Sequence, residues 1–82
     1  MVQIARTQTP DGTRYELVDF EEYVHALEAR GIEAPLANYH ILIPDQIQAS
    51  IHMTRGEWDD QVKMFFRVSP TTGIDAEIIE ER

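Results

Sequence analysis

The stretch Asp19-Phe20-Glu21-Glu22-Tyr23-Val24-His25-Ala26-Leu27-Glu28-Ala29-Arg30-Gly31-Ile32 decides the reading of this chain. Asp19 is an N-cap type, and Glu22 three positions on completes a capping-box pattern. Val18 and Tyr23 stand at the two positions of a hydrophobic staple. Phe20, Tyr23, Val24 and Leu27 recur at i, i+3, i+4 and i+7, which is one face of a helix. Gly31 suits the left-handed residue that follows a helix, and Ile32 is then placed to contact Leu27 as in a Schellman motif. Start, stripe and stop agree on a helix over about residues 20–30.

A helix with one apolar stripe needs a second layer, and the flanking segments offer strands. Upstream, Val2 to Arg6 reads as a strand and Thr13 to Val18 as its return. Thr9-Pro10-Asp11-Gly12 is the turn between them, because Pro pre-sets φ and Gly accepts φ > 0. Tyr15 and Leu17 alternate with Arg14 and Glu16 and are expected to face the core. Downstream, Asn38 to Ile43 reads as a strand ended by Pro44-Asp45. Gln46 to Met53 alternates, with Ile47, Ala49, Ile51 and Met53 on one side. Thr54 to Asp60 reads as a polar loop. Gln61 to Val68 alternates again, with Val62, Met64, Phe66 and Val68 inward. Ile74 to Ile79 is a possible last strand, with Ile74, Ala76 and Ile78 inward.

Two segments carry a second reading. Asp45 is also suited to cap a helix running through Ile47 and Ile51, and the C-terminal residues contain good helix formers. The preferred expectation is a single α+β domain over residues 1–82. It is a small antiparallel sheet of about five strands, in the order ββαββ with a possible sixth element, and one helix packs on one face.

Charge dominates the composition. Fifteen acids face seven Lys plus Arg, a formal net charge of −8 on 82 residues. The excess is spread along the chain, so the folded body rather than a tail is negative. Such a surface repels free nucleic acid and anionic membranes. There is no cysteine, hence no disulfide and no thiolate metal site. The longest apolar run, Ile41-Leu42-Ile43, is far short of a membrane span. No targeting segment is evident at Met1 to Arg6, and a cytoplasmic location is the default expectation.

Chemistry-bearing patterns are sparse. Glu21, His25 and Glu28 have helical spacing that can hold a metal, but the same spacing is that of a solvated helix face. Glu21/Glu22, Asp59/Asp60 and Glu80/Glu81 are adjacent carboxylates, whereas acid–base work needs carboxylates in contrasting environments. Ser50 and Ser69 lack a nucleophile-elbow context. The four glycines form no phosphate loop. Arg55, Lys63 and Arg67 read as cross-strand charge balance. No catalytic residue, cofactor or metal is assigned.

The segment Thr54-Arg55-Gly56-Glu57-Trp58-Asp59-Asp60 is the best interaction candidate. It holds the only tryptophan among three acids, and Trp is enriched in binding hot spots. The structural alternative is that Trp58 folds over the sheet edge and closes the core. Phe65 points outward if Phe66 points inward, which marks a partner-binding or dimerisation surface. The alternative there is a bulge that buries both rings. The expected partner-binding residues are therefore Glu57, Trp58, Asp59, Asp60 and Phe65.

These residues suggest a small acidic, non-enzymatic interaction module. It would act as an inhibitor or nucleic-acid mimic on a protein with a basic surface, its acids steering association. The alternative is a homodimeric ligand-binding domain or small enzyme, with Tyr39, His40, His52 and Trp58 around a shared pocket. A third reading is an accessory subunit of a larger assembly.

Overall fold

The computed structural model describes residues 1–34 and 40–81. The chain is a small α+β domain. Its elements are β1 (Val2–Thr9), β2 (Gly12–Leu17), α1 (Phe20–Glu28), β3 (His40–Pro44), α2 (Asp45–Ser50), α3 (Arg55–Phe65) and β4 (Ala76–Glu81). Among the described residues the four strands form one sheet in the order β3-β2-β1-β4.

The hairpin forms where the turn chemistry places it. Thr9 pairs with Gly12, and the Thr9 hydroxyl accepts from the Gly12 N–H at 3.2 Å while donating to the Gly12 carbonyl at 2.9 Å. Gly12 adopts φ 151°, and a Cβ there would lie 2.3 Å from the Ile43 carbonyl oxygen of the neighbouring strand. Only glycine serves there, through both its conformation and the close approach of β3.

Helix α1 follows its sequence signals closely. The Asp19 side chain accepts from the Glu22 N–H at 3.1 Å. At the other end Gly31 has φ 71°. The Ile32 N–H donates to the Leu27 carbonyl at 2.9 Å and the Gly31 N–H to the Glu28 carbonyl at 3.0 Å, which is the Schellman pair of bonds. Tyr23 and Leu27 are fully buried, with Phe20 and Val24 packed at their margin. Val18, expected to staple onto Tyr23, stays half exposed.

The second half of the chain differs from the expected strands. Helix α2 takes the first part of the expected strand 46–53 and α3 takes residues 61–65 of the expected strand 61–68, while the expected loop at 54–60 is the N-cap and first half of α3. For the first segment the second reading, a helix, is realised in part: Asp45 is its first residue rather than its cap, no side chain caps it, and it ends at Ser50 with Ile51 at the C-cap. Ile47 and Ile51 share one side at strand spacing and also at i,i+4 helix spacing, so alternation over so few residues does not separate the two. Pro44 has no N–H for a further ladder bond, and the Gln48 side chain donates to the Ile43 carbonyl at 3.0 Å, closing the strand end. For α3 the decisive signal is Thr54 with Glu57. The Thr54 hydroxyl accepts from the Glu57 N–H at 3.2 Å, and the Glu57 carboxylate accepts from the Thr54 N–H at 3.1 Å. This is a reciprocal capping box.

Among the described residues the sheet therefore has four strands, not about five, and is mixed. β1–β2 and β2–β3 are antiparallel, while β1–β4 is parallel. An all-antiparallel sheet and a single helix are both corrected by these pairings. The C-terminal segment is the strand rather than the helix, with Ile74 buried and Ala76 and Ile78 half-buried. Asn38 and Tyr39 lie outside the described residues.

Pairing register sorts the side chains. Val2, Ile4 and Arg6 share one face with Leu17, Tyr15 and Ile41, and with Ala76, Ile78 and Glu80. The core sits between this face and the helices, with Tyr23, Leu27, Val62, Phe66, Val68 and Ile74 filling it. The Tyr23 hydroxyl donates to the Phe66 carbonyl at 3.0 Å, tying α1 to the end of α3. The opposite face presents Gln3, Thr7, Glu16, His40, Leu42, Glu77 and Ile79.

Candidate functional site

Helix α3 lies over β1 and β4, and its inward side is partly polar. Trp58, Asp59, Val62 and Phe66 fall at helical spacing on this side. Val62 and Phe66 are fully buried, and Trp58 and Asp59 are half-buried. Beneath Asp59 stands Arg6, whose side chain is only 11% exposed.

The Arg6 guanidinium is held on two sides. Its Nη1 donates to Asp59 Oδ1 at 2.6 Å and to Oδ2 at 2.5 Å. Its Nε donates to Glu80 Oε1 at 3.0 Å, and Nη2 bonds the same oxygen. Arg55, in the first turn of α3, adds a further bond to Glu80 at 3.0 Å. The Tyr15 hydroxyl donates to Asp59 Oδ1 at 3.0 Å. Two arginines and two carboxylates thus neutralise one another between three strands and a helix.

Electrostatics follow from this arrangement. The bond to Asp59, reinforced by Glu80, holds the Arg6 guanidinium even more firmly protonated than usual, against the opposing effect of burial. Burial first, then the Asp59 charge, pushes the Tyr15 phenol up to about 12. The hydrogen bond from Arg6 holds the Glu80 carboxyl below its ordinary range. Burial also raises the Tyr23 phenol, opposed by Arg67. Tyr15 and Asp59 are in contact, yet the phenol stays protonated and Asp59 is already saturated by Arg6. This is the chemistry of a structural lock rather than of an acid–base pair.

The expected partner-binding residues separate into two sets. Trp58 and Asp59 turn inward. Trp58 borders a cleft of about 130 Å³ with Thr13, Tyr15, Gln48, Met53 and Arg55, so it folds over the sheet. Glu57, Asp60 and Phe65 are exposed, Phe65 at 47%, and Met64 beside it is 58% exposed. Phe65 meets Phe66 edge-to-face at 5.3 Å between ring centres. No bulge buries both rings; a helix separates them.

The arginine balance expected across a hairpin is also different. Arg55 pairs with Glu80, while Arg67 follows α3 at φ 62°. Sequence reasoning did not bring Arg6, Tyr15 and Glu80 together: Tyr15 was expected in the core, Glu80 only as one of an adjacent carboxylate pair, and Arg6 was not singled out. The available signal was a polar residue in phase with Val2 and Ile4 on a strand, which demands a buried partner.

The histidines do not converge. His40 pairs with Glu16 on the open sheet face, and His52 is exposed in the connection from α2 to α3. Tyr39 lies outside the described residues. Among the described residues no group of three His, Asp or Glu side chains is placed to hold a metal ion. No helix among them is long and apolar enough to cross a membrane.

Acids outside the lock are largely uncompensated. Only Glu16, Glu22, Asp59 and Glu80 enter ion pairs among the described residues. Around α3 and β4, the lock consumes Arg6 and Arg55. Glu57, Asp60, Asp75, Glu77 and Glu81 are left exposed with Lys63 the nearby cation. No protein-family model, no curated protein and no solved structure matches this chain.

Proposed function

We infer that this protein is an acidic interaction module that docks on a basic surface of another protein, and that the docking side is the β4 edge of the domain, with Asp60 of α3 on its helix side and Glu77 and Glu81 on its open sheet face. The observation that carries the reading is the division of charge just described. Arg6 is buried against Asp59, Arg55 and Glu80 neutralise each other at the surface, and the remaining acids face out without a partner cation among the described residues. A surface built this way speeds encounter with a basic partner and disfavours acidic ones. It also competes with nucleic acid for the same basic surface, which is how an inhibitor of a nucleic-acid-binding protein acts.

Helix α3 is fixed for this purpose at both ends. The capping box sets its start, and the Val68 N–H to Lys63 carbonyl bond at 3.0 Å closes its end. Its acids are thus presented from a rigid element, so little ordering cost opposes binding.

The test begins with capture of partners from host lysate by tagged protein, identified by mass spectrometry and then purified. Binding of the purified partner is measured by titration calorimetry at low and high salt, against wild type and the triple variant Asp60→Lys, Glu77→Lys, Glu81→Lys. A basic partner whose affinity falls with salt and falls at least tenfold in the variant supports the reading. If no purified partner binds in a salt-sensitive way, the reading is wrong. If Phe65→Ser abolishes binding while the charge reversals do not, the docking side is the opposite flank of α3.

A further inference from the structure

Strand β4 is an outer strand of the sheet and pairs with β1 alone. The Val2 N–H donates to the Asp75 carbonyl at 3.1 Å, and Val2 lies opposite Ala76. This phase of a parallel ladder turns the N–H groups of Glu77 and Ile79 toward β1. It turns the N–H and C=O groups of Ala76, Ile78 and Glu80 outward. Among the described residues nothing pairs with that edge.

The two faces beside the edge differ. On the open sheet face β4 presents Glu77, Ile79 and Glu81, two acids flanking an apolar residue. On the helix side, beside Ala76, lies a cleft of about 260 Å³. It is bordered by Val68, Pro70, Ile74, Ala76 and the Lys63 side chain.

Building on the reading above, we propose that the β4 edge takes up an extended basic segment of the partner as a fifth strand. Its main chain bonds the outward groups of Ala76, Ile78 and Glu80. Because strand side chains alternate, one set falls opposite Glu77 and Glu81 and the other falls over the helix-side cleft. The segment that fits carries Lys or Arg at two positions four apart, with apolar residues at the intervening alternate positions. A second copy of this chain fits poorly. Antiparallel pairing of two β4 edges about Ile79 sets Glu77 of each copy opposite Glu81 of the other, and like charges directly opposite are unfavourable. The same acids guard the edge against self-association while selecting a basic strand.

The probe is a blocked, fluorescein-labelled octapeptide of alternating lysine and valine, titrated with the full chain and followed by anisotropy at low salt. A second peptide of the same sequence is N-methylated at alternate residues so that its edge-facing amides cannot bond. Binding by the first peptide, a loss of at least tenfold on N-methylation, and slowed hydrogen exchange at the Ala76, Ile78 and Glu80 amides are expected. The Glu77→Lys, Glu81→Lys double variant, its fold checked by circular dichroism, is expected to lose at least tenfold as well. Equal binding of both peptides without protection of those amides overturns strand addition and leaves the basic-partner reading standing. No binding of either peptide also overturns it, while the salt-dependent capture judges the basic-partner reading separately. Protection that grows with protein concentration in the absence of peptide overturns it in favour of a second copy.

Discussion

Asp59 on α3 grips Arg6 on β1 through both carboxylate oxygens, across fifty-three residues of sequence, at 2.6 and 2.5 Å. The pair joins the first strand to the third helix. Both side chains are largely buried, at 11% and 18% exposure. Removing one partner leaves the other charge without compensation in a poorly solvated place. Asp59→Ala is therefore expected to cost about 2–4 kcal/mol of folding stability, near the lower end of the range for broken buried pairs. Urea denaturation followed by tryptophan fluorescence measures this. A change within about 0.5 kcal/mol, the level of an ordinary surface substitution, would mean that Asp59 is a surface residue after all.

Tyr15 and Glu80 give this lock opposite responses to pH. The Tyr15 phenol is raised from 10.0 to about 12, and burial also raises that of Tyr23. The unfolded chain then releases these protons first, so stability is full below pH 10 and falls as pH rises from there toward 12. For Glu80 the folded value is lowered by its bond to Arg6. Its contribution is fully present above the ordinary carboxyl value and is lost as pH falls from there through the lowered folded value. Melting temperature measured across pH should decline on both limbs. Tyr15→Phe should shallow the alkaline limb at a cost of about 1 kcal/mol at neutral pH, and Glu80→Gln should shallow the acid limb.

Arg67 closes α3 in the left-handed region at φ 62°, the one non-glycine with positive φ among the described residues. Its N–H donates to Met64 and that of Val68 to Lys63, both at 3.0 Å, so it fills the position that glycine fills after α1. Arginine pays a steric cost there that glycine avoids, while its single bond to the Glu33 carbonyl is long at 3.4 Å. Arg67→Gly is expected to stabilise the protein by about 0.5–1 kcal/mol. A loss of stability in thermal unfolding would show that the Glu33 contact outweighs the strain.

Legibility in the sequence follows how local each determinant is. Helix α1 was readable because its cap, stripe and glycine stop all lie within fourteen consecutive residues. The first hairpin was readable because Pro10 and Gly12 define its turn. Helix α3 was misread because its buried stripe contains Asp59, a carboxylate satisfied only by Arg6 and Tyr15 from distant strands. With Asp59 taken as exposed, Val62, Met64 and Phe66 mimic a two-residue period, although Met64 is 58% exposed. Arg6 was taken as the end of a strand for the mirror-image reason. The capping box at Thr54 and Glu57 was a local signal, and it outweighs alternation over a few residues.

Trp58 and Phe65, read from the sequence as one surface, are separated by the helix into two kinds of residue. Trp58 leans over Tyr15 and Thr13, whereas the Phe65 ring is 47% exposed. A half-buried tryptophan contributes about half the stability of a fully buried one. Trp58→Ala is thus expected to cost about 2 kcal/mol, whereas Phe65→Ser should change stability by less than about 1 kcal/mol. Partner affinity should respond to neither as strongly as to reversal of Asp60, Glu77 and Glu81, since those acids form the docking flank. Denaturation midpoints and calorimetric affinities for the same set of variants separate the roles. A Trp58→Ala protein with unchanged stability and abolished binding would move the interface from the β4 side of α3 to the cleft at Tyr15.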